Sequence, residues 1–172
     1  PFPNTNRKTK GQKALTQAEN KQLVSALKME MTRILAGKEP LDSFDLTVCV
    51  LGIGMVTGMN PIPVLSLPTD CIQPHPPKQN LRLLVAFKRR GNATQVVSLR
   101  QSQDIALLRS VKLNAANTIE MIIERNAALR EGYQDPMQLL VYQSKGYTSK
   151  GAITALTSTN MTVNISTLIE KH

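Results

Sequence analysis

The chain predicts an α+β fold: a largely antiparallel sheet of about five to six strands packed with two main helices, preceded by a flexible basic N-terminal arm. Three observations carry that expectation. Residues 16–37 show helical spacing with a start and a stop signal, and residues 102–131 return to it. Residues 44–50, 81–99 and 161–166 alternate apolar with polar side chains, the period of a half-buried strand. Helices and strands come in separate runs rather than in strict alternation, which is the α+β pattern.

Residues 1–14 (PFPNTNRKTKGQKA) hold two prolines, one glycine and almost nothing to bury, so they read as a flexible arm. Residues 15–172 are long enough for one globular domain with a full core. With only three Phe, three Tyr and no Trp, that core must be aliphatic.

The first helix opens on Thr16-Gln17-Ala18-Glu19, the spacing of a capping box, in which the threonine side chain and the glutamate satisfy each other's amides. Leu23, Leu27, Met31, Ile34 and Leu35 form its stripe, and Gly37 with Pro40 ends it. In FDLTVCV, Phe44, Leu46, Val48 and Val50 alternate with Asp45, Thr47 and Cys49, which predicts a strand. Gly52, Gly54 and Gly58 follow but run into Pro61 and Pro63 instead of opening a helix, so they predict a bend or bulge rather than a phosphate loop.

Residues 60–78 hold six of the ten prolines. A connection of that length is expected to be functional or disordered. Its apolar side chains, Ile62, Val64, Leu65 and Leu67, are either a cover for the domain's own core or a pre-stiffened self-association loop. A hairpin comes next. Leu81, Leu83, Val85 and Phe87 are expected on its buried face, Gly91-Asn92 at the turn and Thr94–Leu99 on the return.

Residues 102–131 read as helical, from Ser102 to the terminator Gly132, with Ile105, Leu108, Val111, Ala115, Ile119 and Ile122 as the stripe and Asn114 as a possible break. The last forty residues are rich in Thr, Ser and β-branched side chains. Met161, Val163 and Ile165 alternate with polar neighbours, and Lys145-Gly146 and Lys150-Gly151 mark turns, so about three strands are expected there.

The formal charge of +9 is unevenly placed. Residues 1–18 carry four cations and no acid; residues 78–112 carry eight cations against Asp104; the remainder is slightly acidic. Such segregation points to a polyanionic partner: nucleic acid or a nucleocapsid, an anionic lipid surface, or an acidic protein. The residues expected to meet it are Arg7, Lys8, Lys10 and Lys13 in the arm, Lys88, Arg89 and Arg90 at the hairpin tip, and Arg100 at its far end. No zinc-finger, helix-turn-helix or aromatic RNA-reading motif is visible, which leaves backbone-level attraction without sequence specificity.

Catalytic and metal chemistry find little support. Of two histidines, His172 ends the sequence and His75 lies in a proline-rich run. Cys71 with His75 is half of a zinc set, and that loop offers no scaffold for a nucleophile pair. No cofactor and no enzymatic activity are expected. Two cysteines are too few for a disulfide framework. A polar, basic start without an apolar stretch behind it, and a longest apolar run of only Val48–Val56, predict neither a signal peptide nor a membrane span.

In layout the chain resembles the small matrix proteins of rhabdoviruses. The residues that carry the likeness are Arg7-Lys8-Thr9-Lys10 with Lys13 for a basic arm, and Pro61-Ile62-Pro63-Val64-Leu65 for an exposed apolar loop. It departs from them in having Pro76-Pro77-Lys78-Gln79 where many members carry a Pro-Pro-x-Tyr motif, and in its scarcity of aromatics. The resemblance implies a non-enzymatic virion protein, found in the virion or peripheral to membrane in the host cytoplasm. It would form homo-oligomers or polymers and bridge nucleocapsid and membrane. The alternatives are a viral coat protein whose arm meets packaged genome, and a monomeric RNA- or lipid-binding regulatory module.

Overall fold

The structure, a computed structural model, describes residues 15–76, 81–88, 93–100 and 114–172. It is α+β, with six helices and two small antiparallel sheets among these residues. The sheet of five to six strands expected from the sequence is instead a three-stranded sheet and a separate two-stranded ribbon.

Helix α1 (Gln17–Ala36) begins at the expected capping box: Glu19 N–H donates to Thr16 Oγ1 at 3.3 Å, and Thr16 N–H donates to the Glu19 carboxylate at 2.7 Å. It ends at Gly37. Two of its last carbonyls find partners: Gly37 N–H donates to Arg33 O and Ile34 O, and Arg125 donates to Ile34 O from across the fold and to Glu39 O just beyond the helix.

Residues 44–50 form part of helix α2 (Ser43–Thr57), not a strand. Asp42 caps it by accepting from the amides of Phe44 and Asp45, and Gly58 closes it in the left-handed conformation at φ 70°. Leu46, Thr47, Val48, Cys49, Val50, Gly52 and Ile53 are all buried, on every side of the helix. A helix apolar all round has no amphipathic period to read, and its few polar residues happened to alternate. α2 is the central element, packed against α1 and against three of the helices that follow it in the chain. Gly52 and Gly54 form no bend or bulge but lie within α2; after the turn at Gly58 the chain folds back against Gly54, where a β-carbon would sit 3.1 Å from Met59 O.

The proline-rich segment is partly helical. α3 (Pro61–Leu65) starts with proline in its first turn, where a missing amide costs nothing. Strand β1 (Ile72–Pro74) pairs with β2 (Leu81–Lys88), and β2 pairs antiparallel with β3 (Ala93–Arg100), giving the order β1-β2-β3. The hairpin is where the sequence placed it, but the core-facing side is the other one. Leu84 and Ala86 are buried, whereas Leu81, Leu83 and Val85 are only half-buried. Leu99, opposite Arg82, and Val97, opposite Leu84, complete the inner face. Both faces of β2 are apolar, so alternation could not tell which one faces in.

Helices α4 (Ala115–Arg125) and α5 (Ala127–Glu131) follow. Asn114 caps α4 through a 2.9 Å bond from Ala116 N–H, and Gly132 ends α5. Ser102, Ile105, Leu108 and Val111 lie outside the described residues. Between the helices, Asn126 is fully buried and fully used: its Oδ1 accepts from Leu41 N–H, and its Nδ2 donates to Leu41 O and Val141 O. This one amide ties the α1–α2 connection to the second sheet.

That sheet is β4 (Val141–Gln143) paired with β5 (Ile153–Ala155). The predicted strand at 161–166 is instead helix α6 (Ser158–Lys171), started by a Thr157/Asn160 capping box. Met161 and Leu168 are buried with Ile165 against the core, which is helical spacing. Its hydroxyl residues fit a helix because Thr162, Ser166 and Thr167 each donate back to the carbonyl four residues earlier. One apolar cluster runs from α1 through β2, β3 and α4 to α6, with α2 touching α1, α3, α4 and α6. No described helix is long and apolar enough to cross a membrane.

Candidate functional site

Arg7, Lys8, Lys10, Lys13, Arg89 and Arg90 lie outside the described residues. Lys88 is the last residue of β2, opposite Ala93, and Arg100 is the last residue of β3, opposite Leu81. Seven strand steps separate these positions, about 23 Å at ordinary strand rise. The β2–β3 hairpin therefore holds Lys88 and Arg100 at opposite ends, as the sequence pattern placed them.

The expected self-association residues divide. Val64 and Leu67 are buried in the core, Leu65 packs partly against it, and only Ile62 is exposed. The cause is backbone pairing. Leu139 N–H donates to Leu67 O, Gln138 Nε2 to Leu65 O, and Thr69 N–H to Met137 O at 2.8 Å. The segment after α3 is stitched to residues 137–139, and its apolar side chains cover the domain's own interior. Val64 and Leu67 are thus core, which removes them from any docking surface.

The buried thiols are inert by placement. Burial pushes both Cys49 and Cys71 up to about 12, so each stays a protonated thiol, and both are unbridged. His75 is half-buried just beyond β1. Among the described residues no group of three or more His, Cys, Asp or Glu could hold a metal ion.

Two polar constellations stand out. The first is structural. Glu30 is 3% exposed and binds Arg33 Nε at 2.7 Å, Lys171 Nζ at 2.6 Å and His172 Nε2 at 2.8 Å, while Arg33 also pairs with Asp45. Burial alone would raise the Glu30 pKa, but hydrogen bonds from Lys171, His172 and Arg33 bring it down to about 2. The cluster clasps α6 to α1 and α2.

The second is a cleft of about 500 Å³ beside the β4–β5 connection. Pro40, Leu41 and Leu129 give it apolar walls, and its charged lining is Glu39, Asp42, Lys145 and Lys150. Lys145 Nζ meets Asp42 Oδ2 at 2.8 Å, and this contact raises the lysine's pKa. Burial would raise the Asp42 pKa, yet the bonds from Lys145 and from the Asp45 and Phe44 amides hold it below the usual value. From the rim of this cleft the chain turns through Gly146 and a 3-10 turn, Tyr147–Ser149, on which the Tyr147 side chain stands fully in solvent. The sequence marked Lys145-Gly146 and Lys150-Gly151 only as turns. The signal that could have shown more is the repeated Ser-Lys-Gly (144–146 and 149–151) around one of only six aromatics.

Among known proteins, no family model, no curated protein and no solved structure matches this chain. Its class is therefore set by its own geometry, an α+β body carrying a polar cleft and an exposed, lysine-flanked aromatic turn.

Proposed function

We propose that this chain is a non-enzymatic, matrix-like structural protein that binds a polyanion through its basic stretches, self-assembles, and so bridges a nucleocapsid or nucleic acid to an anionic membrane surface, in the virion or in the host cytoplasm. The observation that carries the reading is the segregation of positive charge into residues 1–18 and 78–112. Some acids of the body are taken up by cations of the body itself, Arg33, Lys145, Lys171 and His172. Glu30, Asp42 and Asp45 are thereby engaged internally, away from the basic stretches.

Self-assembly draws support from β3. Among the described residues it is an edge of its sheet, eight residues long and free of proline, with Val96 exposed. An edge of this kind offers main-chain groups to a second strand. A jelly-roll coat would need about eight strands, whereas the described residues hold five short or medium ones beside six helices, so the matrix-like reading is preferred.

The test is co-sedimentation of the full chain with single-stranded RNA and with phosphatidylserine vesicles. Replacing Arg7, Lys8, Lys10 and Lys13 with alanine, or Lys88, Arg89 and Arg90 with alanine, is expected to cut pelleting with at least one of them by tenfold or more. Equal pelleting by wild type and both variants would defeat the reading.

A further inference from the structure

A tyrosine with 101% exposure is a side chain the fold does nothing to cover. Flexibility does not account for it, because the turn that bears it is closely bonded. Ser144 N–H donates to Ala152 O and Gly151 N–H to Ser144 O, both at 2.8 Å. Ser149 N–H donates to Gly146 O at 3.1 Å, and the Ser144 and Ser149 hydroxyls bond each other at 2.7 Å. Gly151 adopts φ 86°, a conformation that only glycine takes without strain, and the Lys145–Asp42 contact anchors one limb to the start of α2. A ring presented on such a turn loses little entropy when something packs on it.

The surroundings choose the ligand. Serines, lysines and glycines flank Tyr147, and no apolar side chain adjoins it in the turn from Ser144 to Gly151. Membrane insertion would therefore bury one ring against the cost of dehydrating its lysine neighbours, and a protein hot spot would lack its apolar surround. A single-stranded nucleic acid asks for what is present: a π face, a nearby cation, and room for an adjoining nucleotide. The cleft at the base of the turn has the volume of a small-molecule site. Its two lysines and two carboxylates cancel, which suits a neutral, hydrogen-bonding base between apolar walls better than a cluster of phosphates. Lys150 makes no ion pair among the described residues and is exposed at the rim.

We propose that the β4–β5 connection is a contact site for single-stranded nucleic acid: a base stacks on Tyr147, Lys150 meets the adjoining phosphate, and a neighbouring nucleotide lies against the cleft walled by Pro40, Leu41 and Leu129. Lys145 positions the turn through Asp42. The site rests on the polyanion reading for the class of partner, and it adds which anion is held and where, outside both basic stretches.

The chain has no tryptophan, so Tyr147→Trp in the full-length protein creates a single reporter at the site. Titration with a twelve-nucleotide uridine-rich single strand is expected to quench its emission. Tyr147→Ala is expected to weaken binding of that strand about tenfold, from the usual worth of one stacked base, while leaving duplex RNA and phosphatidylserine vesicles bound as before. Because Tyr147 is wholly exposed, the melting temperatures of both variants should match wild type, which keeps the readout about binding.

Strand binding with unchanged tryptophan emission and no loss in Tyr147→Ala would overturn this site while leaving the polyanion reading in place. A blue shift on vesicles, with no response to the strand, would make the turn a membrane contact and overturn the proposal as well. Failure of the wild type to bind strand, duplex or vesicle would end both readings.

Discussion

Two connecting segments, Pro61–Leu67 and Ser144–Gly151, have similar lengths and opposite fates. The first is apolar and proline-rich, and it turned inward: Val64 and Leu67 are buried, and residues 137–139 hold its backbone. The second is polar and glycine-rich, and it stands outward with the most exposed aromatic of the described residues at its apex. Proline made the first segment look like a surface loop. What decided the matter was the free energy of burying Val64 and Leu67, roughly 1.5–3 kcal/mol each, with a smaller share from the partly covered Leu65. A stiff apolar loop is core unless something else already fills the core. A rigid polar turn that lifts an aromatic into water has no such internal reason.

The contrast can be broken by substitution. Leu67→Asp places a charge where a fully buried leucine sat and is expected to cost about 4 kcal/mol or more, a large share of the roughly 5–15 kcal/mol that holds a domain folded. Tyr147→Ala should change stability by less than about 0.5 kcal/mol. Urea unfolding of the two variants reads both. A stable Leu67→Asp protein that no longer self-associates would restore the segment as a docking loop.

The Glu30 cluster gives a second, smaller effect. The folded pKa of about 2 lies below the ordinary glutamate value of 4.5, so its contribution is complete above the latter and is lost as pH falls from there towards 2. Glu30→Gln is expected to cost about 1–3 kcal/mol near neutral pH, since Arg33 and Lys171 are half exposed and can be rehydrated. The variant's stability should also fall less steeply than wild type between pH 4.5 and 2. An unchanged acid limb would show that the clasp on α6 is not electrostatic.

How far the sequence could be read follows from the kind of signal at each place. The local stereochemical marks held: the Thr16/Glu19 capping box and the Gly37 and Gly132 stops each act within one turn and need no tertiary context. The alternation at 44–50 failed because α2 is buried on all sides, and the run at 161–166 failed because six residues are too few to separate a strand from a helix whose hydroxyls bond backwards. Tyr147 was visible as an aromatic among lysines, but its exposure belongs to the folded turn. The placement of Lys88 towards the hairpin tip and Arg100 at the far end was legible from the hairpin pattern alone, and the strand pairing agrees with it.

The salt dependence of single-strand binding by the wild-type chain bears most directly on the whole picture. If cations of the arm, the hairpin and the Tyr147 turn together neutralise about six phosphates, the logarithm of the association constant should fall against the logarithm of salt concentration with a slope near −4. A slope shallower than about −1, at measurable affinity, would mean that the segregated positive charge has no part in binding and would contradict the account.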